Sequence, residues 1–361
     1  MIPLLAGAYA VFGVILLLNV RYLRGTRRAL APIPTEFPSV SIIIPARNEA
    51  VNLRRFLPSV LAQRYPRFDV TVYDDGSEDA TPDVLRSLRV PHLRTLRGEG
   101  PPAGWVGKVH ALYQASRHAR GDVFLFLDAD TALADSDALT RLVQRYRALP
   151  PGSVLTGITH LLGGGRVLVS LVPFVIFTYL PLALVARMRS ARLSGMNGQC
   201  WLIDRRDYAR LEPHRRHRAE VLEDIRIGRY FKSQGVVPYS VDLQDEVQVH
   251  MYEGLADAWV GFRKNVYPFM GERVWTFLPL HLTYLAVFVL APLVFPWFLI
   301  PLFALKWLAD RLVRMPLGIT LLAPVTLVLG AALQLDSAVS HWTGRAMWKG
   351  RPVARRVVNG A

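Results

Sequence analysis

The 361-residue sequence has a single cysteine, Cys200, and no internal repeat. One cysteine cannot form an intramolecular disulfide, so nothing in the sequence requires an oxidising compartment. A zinc site built on Cys200 would lack a second thiolate ligand, and we interpret this residue as a small buried side chain. The absence of repeats and of long low-complexity segments argues against solenoid folds and against an extended disordered region.

Acidic residues are also in short supply, with 28 Asp and Glu against 43 Lys and Arg, which gives a formal net charge of +15. Such a charge suits either nucleic acid or anionic lipid headgroups. Hydrophobic residues make up 52% of the chain, and the arginines flank apolar segments, which favours a membrane surface. We therefore expect no nucleic-acid partner, and we interpret the basic stretch 205–218 as a solvated or lipid-facing surface.

Apolar runs at both ends of the chain predict membrane spans. The run 4–20 is just long enough to cross a bilayer, and a cluster of arginines follows it: Arg21, Arg24, Arg27 and Arg28. A cleaved signal peptide carries its positive charge before the apolar run, so we predict an anchor over residues 1–20 with its N-terminus outside. A basic, proline-containing linker is expected over residues 21–37.

The C-terminal runs 277–308 and 317–335 predict two transmembrane helices within residues 271–340, followed by a basic cytosolic tail over residues 341–361. Counting the longer run as two spans would place this tail outside, which breaks the positive-inside rule more severely than counting it as one. The resulting prediction is a multi-pass membrane protein with three spans.

Strand and helix patterns alternate between residues 40 and 150. The runs 40–45 and 68–73 indicate strands, and the wholly apolar run 123–127 indicates a strand that is buried on both faces. This alternation predicts an α/β fold with a doubly wound, mostly parallel sheet. Because ligands bind beyond the carboxyl ends of such strands, the polar residues that follow them are candidate site residues.

Asp128 and Asp130 directly follow the buried strand. Their hard oxygens suit Mg²⁺ or Mn²⁺, which often bind through one or two carboxylates together with substrate phosphates, although an isolated Asp-x-Asp is more often a polar turn. Lys108 ends the segment Gly104-Trp-Val-Gly-Lys108 at a predicted helix start, where backbone donors and the helix dipole favour a phosphate. His110 is interpreted as a packed or solvent-facing histidine rather than a ligand.

Four short motifs occur in order along the chain: Ile44-Pro-Ala-Arg-Asn-Glu49, Asp74-Asp-Gly-Ser77, Asp128-Ala-Asp130 and Glu223-Asp224. Through this set, residues 38–270 resemble the family 2 glycosyltransferases of the GT-A fold. Gly104-Trp-Val-Gly-Lys108, Gly261-Phe-Arg-Lys-Asn265 and Trp348-Lys-Gly-Arg351 resemble membrane-bound members that glycosylate lipids, of the carotenoid (diaponeurosporenoate) and hopanoid-associated types. The Gln-x-x-Arg-Trp pattern of processive polymer synthases is absent.

The resemblance implies a GT-A (nucleotide-diphospho-sugar transferase) fold with a mixed, doubly wound sheet and a role for each matching residue. It implies a nucleotide-sugar pocket lined by Pro45, Glu49, Asp75, Lys108 and Asp128, with Asp75 accepting from the uracil N–H. It implies a metal bound by Asp130 and Asp128, and Asp224 as the general base that takes the acceptor proton. It also implies an acceptor and diphosphate region that includes Glu223, Trp259, Phe262 and Arg263.

The function implied is an inverting, metal-dependent hexosyltransferase with Mg²⁺ or Mn²⁺ as cofactor. It would move a sugar from a nucleotide-sugar donor, with UDP-glucose expected, to a hydroxyl or carboxyl of a carotenoid or other membrane lipid. The alternative is a non-catalytic, membrane-tethered protein of the same fold that binds nucleotide sugars or lipids. The intact acidic motifs favour the enzyme, and a membrane-anchored nucleic-acid binder would leave these motifs unexplained.

The uncharged segment 167–186 is long enough to span a membrane. A span there would place Asp130 and Asp224 on opposite sides, although both belong to one predicted pocket. Arginines flank the segment on both sides, and Pro173 and Pro181 would break a straight helix. We therefore predict an interfacial or re-entrant segment inside a cytosolic catalytic domain.

Overall fold

The computed structural model describes residues 1–28, 30–32, 36–188, 190–348 and 351–352. The chain folds into two compact units. The sheet unit comprises residues 21–161 and 182–250, and the helical unit comprises residues 1–20, 162–181 and 251–361. Residues 349–350 and 353–361 of the predicted basic tail lie outside the described residues, as do residues 29 and 33–35 of the predicted linker.

The strands are numbered along the chain: β1 (Val40–Ala46), β2 (Phe68–Asp74), β3 (Leu93–Arg97), β4 (Val123–Leu127), β5 (Thr131–Leu133), β6 (Ser153–Ile158), β7 (His160–Leu162), β8 (Cys200–Asp204), β9 (Val237–Asp242), β10 (Val247–His250), β11 (Met347–Trp348) and β12 (Arg351–Pro352). Seven of them form one sheet in the order β3-β2-β1-β4-β8-β6-β9, and a smaller sheet has the order β5-β10-β7. In the large sheet β8 runs antiparallel to β4 and to β6, whereas the other neighbouring pairs are parallel. This mixed α/β architecture confirms the predicted fold class.

The helices are likewise numbered along the chain: α1 (Ile2–Arg28), α2 (Ala50–Leu61), α3 (Thr81–Ser87), α4 (Gly107–His118), α5 (Ala138–Arg147), α6 (Arg166–Val169), α7 (Leu171–Tyr179), α8 (Leu182–Arg187), α9 (Arg205–Leu211), α10 (Pro213–Arg216), α11 (Glu223–Ser233), α12 (Leu255–Arg263), α13 (Val266–Phe269), α14 (Val274–Tyr284), α15 (Ala291–Val294), α16 (Leu299–Leu312), α17 (Leu317–Leu321) and α18 (Ala323–Trp342). A π-helical stretch, Leu285–Leu290, makes α14 and α15 one continuous helix.

Aromatic side chains from the central strands form the core of the sheet unit. Phe126 on β4 stacks on Trp201 on β8, with 4.1 Å between ring centroids. The hydroxyl of Tyr208 on α9 lies 3.0 Å from the Ser116 hydroxyl and 2.7 Å from Nδ1 of His214. The basic stretch 205–218 is therefore only partly exposed. Helical periodicity places Tyr208 and His214 on the buried side, whereas the arginines of the stretch face solvent. The predicted small buried cysteine is also found, since Cys200 is fully buried on β8.

Three helices are long and apolar enough to cross a membrane: Ile2–Arg27, Val274–Val294 and Ala323–Trp342. The predicted run 277–308 is not one helix. Its helix ends at Val294 beside Pro296, and α16 then begins at Leu299 with only 14 residues. At about 1.5 Å per residue, α16 is too short for a hydrocarbon core of about 30 Å.

The apolar segment 167–186 is divided among α6, α7 and α8, none of which is longer than nine residues. The helical path breaks at Leu180 and Pro181, where proline cannot donate a helical hydrogen bond. Pro173 lies in the first turn of α7, where its missing N–H is tolerated. Consequently this segment does not form a straight transmembrane helix in the structure.

Candidate active site

Two turns follow the carboxyl ends of β1 and β2 and are joined by hydrogen bonds. The Arg47 guanidinium donates to the backbone carbonyls of Asp75 and Gly76 at 2.9 and 2.8 Å. The Asn48 N–H donates to the Ser77 hydroxyl at 2.9 Å, and the Glu49 N–H donates to the Thr81 hydroxyl at 2.8 Å. These bonds hold the first two sequence motifs side by side at one edge of the sheet.

Pro45 and Asp75 lie next to each other across this pair of strands. Pro45 is paired in register with Tyr73, and the Asp75 N–H donates to the Ala46 carbonyl at 2.8 Å. The Glu49 carboxylate, at the start of α2, accepts from the Asn52 amide at 2.6 Å. The three residues thus lie at or just beyond the adjoining ends of β1 and β2. Their role in lining a nucleoside pocket stays a prediction.

Lys108 lies at the centre of a cluster of carboxylates. Its Nζ is 2.8 Å from Oδ1 of Asp128, 3.0 Å from Oδ2 of the same residue and 3.3 Å from Oε1 of Glu223. Burial on its own lowers the pKa of Lys108, but the charges of Asp128, Glu223 and Asp224 outweigh it and raise that pKa above its ordinary value. The lysine therefore stays protonated, and carboxylates outnumber cations around it.

Asp224 occupies the first turn of α11, and backbone donors fix both of its oxygens. Oδ2 accepts from the Gly198 N–H at 3.0 Å, and Oδ1 accepts from the Ile225 N–H at 2.8 Å. Burial, followed by the negative charge of Glu223, raises the pKa of Asp224 to about 6, although Lys108 and the two backbone donors oppose the shift. A carboxylate with a pKa near neutrality is suited to general-base chemistry.

Asp130 lies in the turn between β4 and β5. Its backbone carbonyl accepts from the His250 N–H at 3.0 Å, and its Oδ1 is 3.5 Å from the Thr131 hydroxyl. Within the described ranges, no group of three His, Cys, Asp or Glu side chains is placed to hold a metal ion. The oxygen donors of Asp128 and Asp130 nevertheless fit a Mg²⁺ or Mn²⁺ ion that takes its remaining ligands from a substrate diphosphate and water.

Residues 41–211 match the family model described as glycosyl transferase family 2. The chain carries a family 2 glycosyltransferase domain. Two relatives from Staphylococcus aureus are both named 4,4'-diaponeurosporenoate glycosyltransferase. The one from strain USA300 is 27% identical over 244 residues, which cover 63% of this chain and 60% of the relative. The one from strain bovine RF122 is 28% identical over 213 residues, which cover 55% and 52% respectively. The chain thus matches less than two thirds of either relative's length.

A solved mannosyltransferase from Pyrobaculum calidifontis, in complex with GDP-Man and Mn²⁺, shares the fold of this chain. The two superpose with a TM-score of 0.56 at 20% sequence identity, over 93% of this chain and 98% of the other. At this identity the likeness shows the fold alone. It agrees with the GT-A architecture of the sheet unit.

The other residues predicted to form the acceptor region belong to the helical unit. There the Trp259 indole donates to Oδ2 of Asp336 at 2.7 Å, and Nη1 of Arg263 lies 3.9 Å from the same oxygen. Phe262 packs edge-on against Tyr252, with 5.1 Å between ring centroids. These contacts join α12 to α18 within the helical unit, and the acceptor role of the three residues stays a prediction.

Gly198 and His110 have positions in the glycosyltransferase domain that the sequence did not reveal. A Cβ at position 198 would lie 3.3 Å from Oδ2 of Asp224, so glycine allows the close approach that anchors the carboxylate. His110 is buried, and its Nδ1 lies 3.5 Å from Oδ1 of Asp75. No sequence pattern predicted either contact, because each depends on how segments that are distant in sequence pack together.

Proposed function

We propose that this protein is an inverting glycosyltransferase that transfers a sugar from a nucleoside diphosphate sugar to a hydroxyl or carboxyl group of a membrane lipid. The observation that carries the proposal is Asp224. Its carboxylate is fixed by two backbone donors, has a pKa raised to about 6 and interacts with Lys108 in the carboxylate cluster. A purely structural carboxylate would gain nothing from such a pKa, whereas a general base would.

In the proposed step, the acceptor oxygen forms a bond to the anomeric carbon of the donor sugar. The bond between that carbon and the diphosphate oxygen breaks, and its electron pair leaves with the nucleoside diphosphate. For a hydroxyl acceptor, the proton passes to Asp224. A single displacement inverts the anomeric configuration. An ionised carboxyl acceptor brings no proton to remove, so its reaction would depend much less on Asp224.

For the donor, we propose UDP-glucose, with Pro45, Glu49 and Asp75 around the nucleoside. Lys108 would supply a fixed positive charge beside the diphosphate, where charge grows as the leaving group departs. Asp128 and Asp130 would hold Mg²⁺ or Mn²⁺, which would offset that same charge. The Mn²⁺ ion in the mannosyltransferase of similar fold supports this cofactor class.

For the acceptor, we propose a carotenoid or a similar apolar lipid, which the name of the Staphylococcus aureus relatives supports. Glu223, in the sheet unit, is a proposed acceptor and diphosphate contact. Trp259, Phe262 and Arg263 carry the same predicted role from the sequence resemblance alone. Three helices are long and apolar enough to anchor the protein in a membrane. We propose that they span it with the N-terminus outside and the sheet unit in the cytosol.

The sheet unit supports this arrangement of the membrane segments. Asp130 and Asp224 both lie in the sheet unit, on either side of residues 162–181 in sequence. We propose that this segment enters and leaves on the cytosolic side, since its helices are too short to cross a bilayer. The catalytic domain would then span residues 38–270 in sequence without a membrane crossing inside it.

The test is transfer from radiolabelled UDP-glucose to lipid extract by membranes that contain the protein, with mass spectrometry of the product. Asp224→Asn keeps the size of the side chain but removes the base. We expect kcat to fall by about 10²–10⁴-fold with a hydroxyl acceptor while UDP binding is retained. Asp83→Asn is the matched control, because Asp83 lies on the exposed surface of α3.

Three outcomes would contradict the proposal in different ways. UDP-glucose binding without any lipid product would favour the non-catalytic alternative. A product that retains the configuration of the donor sugar, determined by NMR, would overturn the inverting mechanism. An Asp224→Asn variant with normal kcat towards a hydroxyl acceptor would place the base elsewhere.

A further inference from the structure

Gln199 lies in the loop that leads into β8, between two carboxylates of the candidate site. Its backbone carbonyl accepts from the Asp128 N–H at 3.2 Å. The residue before it, Gly198, donates its backbone N–H to Oδ2 of Asp224 at 3.0 Å. The same short loop therefore holds the proposed metal ligand on one side and the proposed general base on the other.

The register of the sheet places the Gln199 side chain on the face that carries the Asp128 carboxylate. The hydrogen bond between these two residues extends the antiparallel ladder of β4 and β8 by one pair. Directly paired residues project their side chains from the same face, as the stacked pair Phe126 and Trp201 does two positions earlier. Lys108 contacts Asp128 on this face, so Gln199 belongs to the same site.

Neighbouring groups fix which way the Gln199 amide is turned. Asn197 provides the reference, because its Oδ1 accepts from the Gln199 N–H at 3.0 Å and its Nδ2 donates to the Gly157 carbonyl at 3.0 Å. Nδ2 of Asn197 also donates to Oε1 of Gln199 at 3.2 Å, and the Thr159 hydroxyl donates to the same oxygen at 3.1 Å. The amide oxygen of Gln199 thus accepts from two side chains, and its two N–H groups remain on the other side of the amide.

The amide nitrogen of Gln199 has no hydrogen-bond partner in the part of the chain that the structure describes. The side chain is only partly buried, and this nitrogen stays accessible to a ligand. The loop uses the amide oxygen for its own structure and leaves the nitrogen unused. A fixed amide with two accessible N–H donors is suited to bind an oxygen acceptor of a ligand.

We propose that Gln199 is a specificity-determining residue whose amide donates to a hydroxyl of the donor sugar; this rests on the proposed function. In a single displacement the sugar lies between the departing diphosphate, which is proposed to lie beside Asp128, and the attacking oxygen, which is proposed to lie beside Asp224. Gln199 lies between these two carboxylates, where hydroxyl oxygens of the sugar are the available acceptors. A sugar that lacks the matching hydroxyl would leave the donors unpaired, and the site would bind it less tightly.

The experiment measures the dissociation constants of UDP, of UDP-glucose and of the monodeoxy analogues of UDP-glucose that lack the hydroxyl at C2, C3, C4 or C6. Each is measured with Mg²⁺ and full-length protein in detergent. Gln199→Met removes the amide at similar length, whereas Gln199→Glu keeps an oxygen for Thr159 and Asn197 but has no N–H. Gln234→Met is the matched control, because Gln234 is exposed at the end of α11. Thermal unfolding establishes that each variant is folded.

The wild-type protein should bind one of the deoxy analogues about fivefold to tenfold more weakly than UDP-glucose, which is the size of one hydrogen bond. Gln199→Met should weaken UDP-glucose binding by a similar factor and leave UDP binding unchanged. It should bind that one analogue as the wild-type protein does, because the two changes remove the same contact and their effects do not add. Gln199→Glu should also lower the affinity for UDP-glucose relative to UDP, and Gln234→Met should match the wild-type protein.

A folded Gln199→Met protein that discriminates every deoxy analogue as the wild-type protein does would overturn the inference and leave the proposed glycosyl transfer intact. Equal weakening of UDP and UDP-glucose in both Gln199 variants would do the same, because it would assign Gln199 to the structure of the loop alone. A wild-type protein that binds neither UDP nor UDP-glucose would overturn the proposed function together with this inference.

Discussion

Lys108 in the sheet unit and Lys306 in the helical unit are both lysines bonded to carboxylates, but their surroundings differ. Lys306 is fully buried on α16, and its Nζ donates to both oxygens of Asp310 at 2.6 Å and to the Ser170 hydroxyl at 3.0 Å. The Thr320 hydroxyl donates to Asp310 at 2.7 Å. Lys108 is 23% exposed and contacts Asp128 and Glu223, while Asp224 adds a third negative charge.

The comparison separates a structural ion pair from a site prepared for a ligand. At Lys306 one cation meets one anion, and hydroxyl groups complete the hydrogen bonding, as a buried pair requires. At Lys108 three carboxylates surround one cation, so the cluster has an excess of negative charge that a bound cation could neutralise. Charge balance and exposure are therefore enough to distinguish the ion pair at Lys306 from the carboxylate cluster at Lys108.

The largest expected effect comes from removing the carboxylate of Asp130, which follows the same strand, β4, as Asp128 of the carboxylate cluster. Asp130→Ala should reduce sugar transfer below detection with little change in melting temperature, because it removes a proposed metal ligand and no core side chain. Titration calorimetry of Mn²⁺ in the presence of UDP should show weakened metal binding, with Asp83→Ala as the control. Transfer that persists in this variant and in excess chelator would contradict the metal-dependent mechanism.

The same substitution at the two lysines should have opposite consequences. Lys306→Met leaves Asp310 as a buried, uncompensated charge, and we expect it to cost about 3–5 kcal/mol of stability. Lys108→Met should leave the melting temperature in detergent much closer to that of the wild-type protein, since its surroundings are partly exposed, but should lower the rate of transfer about 10²–10³-fold.

The double variant Lys306→Met with Asp310→Leu serves as the control for this pair, because it removes both charges. It should recover much of the lost stability, since apolar replacement of a complete buried pair is often neutral. Equal losses of stability at Lys108 and Lys306 would mean that the carboxylate cluster is also structural, and the comparison would then fail.

Local patterns made most of the sheet unit predictable from the sequence. The apolar run 123–127 coincides with β4, and the predicted strand 68–73 differs from β2 by one residue. β6 (Ser153–Ile158) was not predicted, because its short apolar content resembles that of a buried helix segment and its partners are distant in sequence. Similarly, the run 277–308 is predicted as one span because hydropathy does not record the helix break near Pro296.

The residues of the candidate site that belong to a sequence motif could be predicted. The contacts that depend only on packing could not. Asp128, Glu223 and Lys108 were predicted to act at one site, and the structure places their charged groups in contact. The Gly198 N–H that fixes Asp224 comes from a loop 26 residues away in sequence. The contact between His110 and Asp75 depends on how α4 packs on the sheet, so it becomes visible only in three dimensions.

The smallest expected effect is the pH dependence that the carboxylate cluster gives to catalysis. Burial and the charge of Glu223 raise the pKa of Asp224 to about 6, and only its ionised form can accept a proton. With a hydroxyl acceptor, kcat/KM should therefore fall about tenfold per pH unit below pH 6 and level off above it.

Because the folded-state pKa of Asp224 exceeds its pKa in the unfolded chain, the ionised Asp224 opposes folding above pH 6. This destabilising contribution is relieved as the pH falls towards 4. Asp224→Asn should accordingly abolish the acid limb and leave the melting temperature equal or higher at pH 7.5, whereas Lys306→Met lowers it at every pH. Rate profiles from pH 5 to 8 measure the first effect and thermal unfolding measures the second; an unchanged acid limb in Asp224→Asn would assign it to another group.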